Sequence, residues 1–86
     1  MKQIIGGKMY DTTTAIQICF GLFGNFNNKI VTLYQKLNGE FFELHELNEF
    51  GFREWIVPLS KAEAMEFAEQ EMSVDEYESV FGEVSE

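Results

Sequence analysis

The chain has 86 residues and a formal net charge of −9, from 15 Asp and Glu against 6 Lys and Arg. That length fits one folded unit. With 45% apolar and 15% aromatic residues, it excludes the low-hydropathy, high-charge kind of disorder. The scarcity of bases argues against direct nucleic-acid binding, since phosphate contacts need clustered Lys and Arg.

In chain order, residues 1–5 read as a short strand ended by the turn signal Gly6-Gly7, after which Lys8-Met9-Tyr10 either continues the strand or pairs back on it. Asp11 and Thr12 to Thr14 supply N-cap oxygens, and Ala15, Ile16, Ile18 and Cys19 offer an apolar face, so a short helix is expected there, closed by Gly21 and Gly24-Asn25. Residues 25–28 are loop-like. Residues 29–37 and 40–47 are rich in β-branched and aromatic side chains and flank Asn38-Gly39, which predicts a hairpin with a type I′ turn. Asn48 to Gly51 turn the chain into a third strand over 53–57, stopped by Pro58.

Ser60 and Glu63 form a capping box that opens a helix running to about Met72. Ser73 and Glu76 repeat the device for a shorter helix ending at Phe81-Gly82. In the first helix Ala64, Met65, Ala68 and Met72 make the apolar stripe. In the second, Val74, Tyr77, Val80 and Phe81 fall on one side and Asp75, Glu76 and Glu78 on the other. Residues 83–86 are expected to fray. The whole, 1–86, reads as a single α+β domain: a short N-terminal strand and helix, a three-stranded antiparallel meander, and two acidic helices packed on the sheet.

Cys19 is the only cysteine, so no disulfide framework holds the fold, and no apolar run approaches the roughly 18 residues of a membrane span. The expected setting is the cytoplasm. His45 is the only histidine and reads as a surface or hydrogen-bonded residue; Cys19 reads as a small core residue. No signature surrounds either as a nucleophile–base pair, one His and one Cys do not make a zinc site, and the glutamates lack the spacing and glycine of a calcium loop. No enzyme, cofactor or metal is therefore expected.

The charge itself is uneven. Residues 1–39 hold one acid and four bases, for +3, whereas residues 40–86 hold 14 acids and two bases, for −12. No base follows Lys61, so the helical carboxylates lack the i, i+4 cations that a solubilising surface normally intersperses. Carboxylates three or four positions apart sit about 5–6 Å from one another, close to the spacing of phosphates along a strand. Glu63, Glu66, Glu69, Asp75, Glu76 and Glu78, with Glu43 and Glu46 as a secondary patch, are thus the candidate contacts to a basic, nucleic-acid-binding protein surface. A second reading is apolar docking or homodimerisation through Phe20, Phe23, Phe26, Phe50 and Phe52, which are too many for so small a core.

Several segments carry a family resemblance. They are Gly7-Lys8-Met9-Tyr10-Asp11-Thr12 with Thr14-Ala15; Leu33-Tyr34 leading to Gly39-Glu40-Phe41-Phe42; Ile56-Val57-Pro58-Leu59-Ser60 with Glu63-Ala64; and Glu76-Tyr77-Glu78 with Phe81-Gly82-Glu83. In these the chain resembles a group of small acidic proteins carried by bacteriophages, plasmids and integrated elements of bacteria, some of which act as anti-CRISPR inhibitors. Where that group carries a glycine-rich insert between Phe42 and Trp55, this chain has the compact, acidic segment 43–52. The resemblance implies a mobile-element origin and, as partner, a CRISPR effector whose DNA-engaging surface is blocked.

Overall fold

The computed structural model describes residues 1–84. Six strands precede two helices: β1 (Lys2–Ile5), β2 (Lys8–Asp11), β3 (Ile16–Phe23), β4 (Lys29–Gln35), β5 (Phe41–Asn48), β6 (Phe52–Leu59), α1 (Lys61–Glu71) and α2 (Val74–Phe81). Strands β3 to β6 form one antiparallel meander in sequence order, and β1 pairs with β2 as a separate hairpin. The fold is α+β, with helices on one face of the four-stranded sheet and the hairpin on the other. Among the described residues no helix is long and apolar enough to cross a membrane. Of the residues expected to fray, Glu83 and Val84 follow α2 without regular structure; Ser85 and Glu86 lie outside the described residues.

The expected N-terminal helix is a strand, and the meander has four strands instead of three. Asp11 does cap, but it caps a single turn: its Oδ1 accepts from the Thr13 N–H at 3.0 Å and the Thr13 hydroxyl at 2.7 Å, and the Ala15 N–H donates to the Asp11 carbonyl at 3.2 Å. Such local side-chain bonds compete with helix propagation. Beyond them Ile16 and Ile18 are β-branched and favour the pleated surface offered by β4. The ladder carries one irregularity, a bulge between Gln17 and Cys19.

The type I′ turn expected at Asn38-Gly39 is not found there. Gly6 (φ 59°) and Gly7 (φ 78°) both take positive φ and join Ile5 to Lys8, so the type I′ geometry lies here, and β2 pairs back on β1. At Asn38-Gly39 only Gly39 is left-handed (φ 96°). The Gly39 N–H donates to the Lys36 carbonyl at 2.9 Å and the Lys36 N–H to the Glu40 carbonyl at 2.7 Å, giving a three-residue connection with a glycine bulge. Leu33 consequently pairs with Glu43, where a two-residue loop would have paired it with Leu44.

Pro58 does not stop β6, which runs to Leu59 with Pro58 opposite Phe42. An edge strand tolerates proline because every second N–H faces away from the ladder. Each face of the sheet then buries its own cluster. On the helix side Leu33 and Phe41 meet Ala64, Ala68 and Tyr77, while on the hairpin side Phe42, Leu44 and Ile56 meet Tyr10. Phe42 is fully buried, stacked on Tyr34 at 5.2 Å and edge-on to Tyr10 at 5.5 Å. Ala64 and Ala68 have no exposed surface, and their small side chains let α1 lie close to the sheet.

Candidate functional site

Both acidic helices start as the sequence requires. The Ser60 hydroxyl accepts from the Glu63 N–H at 3.1 Å while Glu63 Oε1 accepts from the Ser60 N–H at 2.9 Å. Ser73 and Glu76 repeat the exchange at 3.3 Å and 3.1 Å. These bonds hold both carboxyls below their ordinary pKa, so Glu63 and Glu76 stay ionised. Each also commits an oxygen to the cap, so Glu63 and Glu76 are structural as well as surface groups.

Around them Glu66, Glu69 and Asp75 are exposed and Glu78 is half-buried. Glu69 borders a small apolar notch with Val74 and Tyr77 between the helices. Among the described residues, every ion pair lies in residues 2–45, and none includes a carboxylate of α1 or α2. Neither helix has a base in its last turn, where the negative end of the dipole would favour one.

The secondary patch is divided by the sheet. Glu43 faces the helices and shares a shallow groove of about 340 Å³ with Glu63, Glu66, Phe23 and Phe67. It is only 12% exposed and accepts from His45 Nε2 at 2.9 Å. Glu46 lies on the opposite face, near Tyr34, whose hydroxyl pKa is raised chiefly by burial and further by that carboxylate. Glu43 therefore joins the helical carboxylates, and Glu46 does not.

The same register assembles a group that sequence reasoning missed. His45 stacks on Trp55 across the strands, with ring centroids 5.3 Å apart, and Lys29 Nζ and the Arg53 guanidinium lie 5.5 Å and 5.8 Å from the Trp55 centroid. Alternation along β5 and β6 puts these side chains on one face, and the connection between Asn48 and Phe52 sets His45 opposite Trp55. They make a small cationic–aromatic end to a face that is otherwise acidic.

Burial, followed by the charges of Glu71, Glu76 and Glu43, pushes the Cys19 thiol up to about 11, which leaves it protonated near neutral pH and a poor nucleophile. Among the described residues no group of three or more His, Cys, Asp or Glu is arranged to hold a metal ion. Of the five phenylalanines singled out for docking, Phe20 and Phe23 lie in β3 and Phe52 in β6. Phe26 and Phe50 are fully exposed and Phe20 and Phe52 more than half exposed, while Phe23 leans on Phe67 at 6.4 Å. Comparison with protein-family models, with curated proteins and with solved structures finds no match.

Proposed function

We propose that the chain is a non-catalytic binding protein whose two acidic helices occupy a Lys/Arg-lined, nucleic-acid-binding surface of a protein partner. The observation that carries this reading is the set of helical carboxylates without a counter-cation among the described residues. Such groups repel one another in the free protein, and the repulsion is relieved when a basic groove supplies the missing cations. Glu66, Glu69, Asp75 and Glu78 meet the partner, with Glu43, Glu63 and Glu76 adding to the field. The sequence resemblance to mobile-element proteins makes a CRISPR effector the first partner to test. Its DNA channel and its motif-reading surface are lined with Lys and Arg, and the bound inhibitor blocks DNA engagement.

The test reverses Glu66, Glu69 and Asp75 to Lys, leaving the capping Glu63 and Glu76 in place. The folded variant is expected to lose effector binding and inhibition, and the wild-type affinity to fall steeply between about 50 and 500 mM salt as screening shortens the range of the field. Full inhibition by a folded triple variant rejects the mechanism. A second reading, docking of a partner through apolar surface, is favoured by the exposure of Phe20, Phe26, Phe50 and Phe52. It predicts binding that persists at high salt.

A further inference from the structure

The two edges of the four-stranded sheet differ in kind. β6 carries Arg53, Glu54 and Pro58, features that protect an edge from pairing with another chain. β3 carries no formally charged side chain along its eight residues, IQICFGLF. Among the described residues its backbone bonds only to β4, so its outer row of N–H and C=O groups has no protein partner. The bulge at Gln17–Cys19 leaves a regular open stretch over residues 19–23.

We propose that this edge pairs with the same edge of a second copy, antiparallel about a two-fold axis at Gly21, to give a continuous eight-stranded sheet. That register sets Phe20 opposite Leu22 of the second copy on the hairpin side, and Gly21 opposite Gly21. The stretch is therefore complementary to itself, as a two-fold interface requires. Its lack of charge gives it nothing with which to select a charged foreign strand. Protection of the β6 edge stops growth at two copies, so no open filament forms.

The area suits a weak, reversible dimer. Within the paired stretch Phe20, Leu22 and Phe23 expose 53%, 50% and 38% of their surface. At about 200 Å² for a large apolar residue they offer about 280 Å² per copy. With the strand backbone added, the pair stays below the roughly 1,200 Å² at which standard specific interfaces begin. A dissociation constant of about 10–100 μM is expected for an interface of that size. Glu71 of α1 lies over Gly21, so one Glu71 carboxylate from each copy faces the axis. The residues assigned to the partner, Glu66, Glu69, Asp75 and Glu78, are not on β3, and the two sets of Lys substitutions separate this proposal from the partner-binding reading.

Sedimentation equilibrium of the full chain tests it. The 10.0 kDa chain is expected to weigh twice that on concentration. High salt should leave the dimer intact or tighten it, because each copy carries −9. Amide exchange over residues 19–23 should slow as the protein is concentrated. The double variant Phe20→Lys, Leu22→Lys alters two exposed positions and should raise the dissociation constant about a hundredfold. A wild-type monomer at about 1 mM, a dimer whose 19–23 amides gain no protection, or a folded double variant that dimerises as well as the wild type would each overturn the proposal.

Discussion

Glu71, in the last turn of α1, lies so close over Gly21 of β3 that a β-carbon at position 21 would stand 2.8 Å from its Cδ and 2.8 Å from the Phe23 ring. Gly21 is buried without taking positive φ, so a clash with these side chains, and not backbone conformation, is what opposes a larger residue there. Gly21→Ala is expected to destabilise the fold by about 1–2 kcal/mol, the ordinary cost of overpacking. Because Glu71 is an exposed, flexible side chain, adding Glu71→Ala should recover part of that loss. A urea-unfolding double-mutant cycle measures the coupling, and strict additivity would show that the contact carries no energy.

The capping boxes predict two matched losses. Ser60→Ala and Ser73→Ala each remove a side-chain acceptor from a helical N–H and free a glutamate from its cap. Each should cost about 1 kcal/mol, read as a fall in the urea midpoint. Gly at either position should cost only a few tenths of that amount.

Acid sensitivity is expected to centre on Glu40. Its carboxylate accepts from Lys8, Asn38 and Lys36, and these bonds lower its pKa to about 2. A carboxyl depressed on folding stabilises the native state above its unfolded pKa, near 4.5, and that contribution disappears as pH falls through the folded value near 2. Thermal unfolding followed from pH 6 to about pH 2 should therefore show a shallower acid decline for Glu40→Gln than for the wild type. Lys8 behaves in the opposite sense. Its pKa is raised by the same contact, so its contribution holds at neutral pH and is lost as pH climbs above the ordinary lysine range.

The hairpin layer depends on one ring. Phe42→Ala removes a fully buried side chain that stacks on Tyr34 and meets Tyr10 edge-on, and should cost about 3–5 kcal/mol. Since a small domain has only about 5–15 kcal/mol in all, calorimetry should show a greatly lowered melting temperature or no transition. A loss below about 1 kcal/mol would mean that the hairpin is not packed on the sheet in solution.

The parts of the fold that were legible in the sequence are those specified by neighbouring residues. Ser60 with Glu63 and Ser73 with Glu76 are complete instructions within one turn, and both helices begin where those pairs require. The strand Ile16–Phe23 was hidden because Asp11 and the threonines give the same start signal to a single turn as to a helix, and only pairing with β4 selects the strand. Asn38-Gly39 announced a hairpin but not its loop length. One residue of difference there decides whether Leu33 faces Glu43 or Leu44 across the ladder. Glu43 and Glu46 stand three apart on one strand, so alternation alone sends them to opposite faces, and their separation was legible in the strand expected over 40–47. The meeting of His45 with Trp55 rests on the register set between Asn48 and Phe52 and was out of reach. Pro58 misled for a related reason: its meaning depends on whether the strand is central or at an edge, which is a property of the whole sheet.

The chain passes from Leu59, the last residue of β6, through the cap Ser60 into α1, and from Met72 through the cap Ser73 into α2, with no free loop on the way. Every carboxylate on these helices is thus rooted in backbone that folding has already ordered. A disordered tail of equal charge would surrender about 1–2 kcal/mol of entropy for each residue it fixed on a partner, whereas here only side-chain rotamers remain to be frozen. On the proposed function, the surface would meet its partner as a rigid ruler of negative charge. It would gain speed and selectivity for grooves whose cations match its spacing, and give up the ability to mould itself to those that do not.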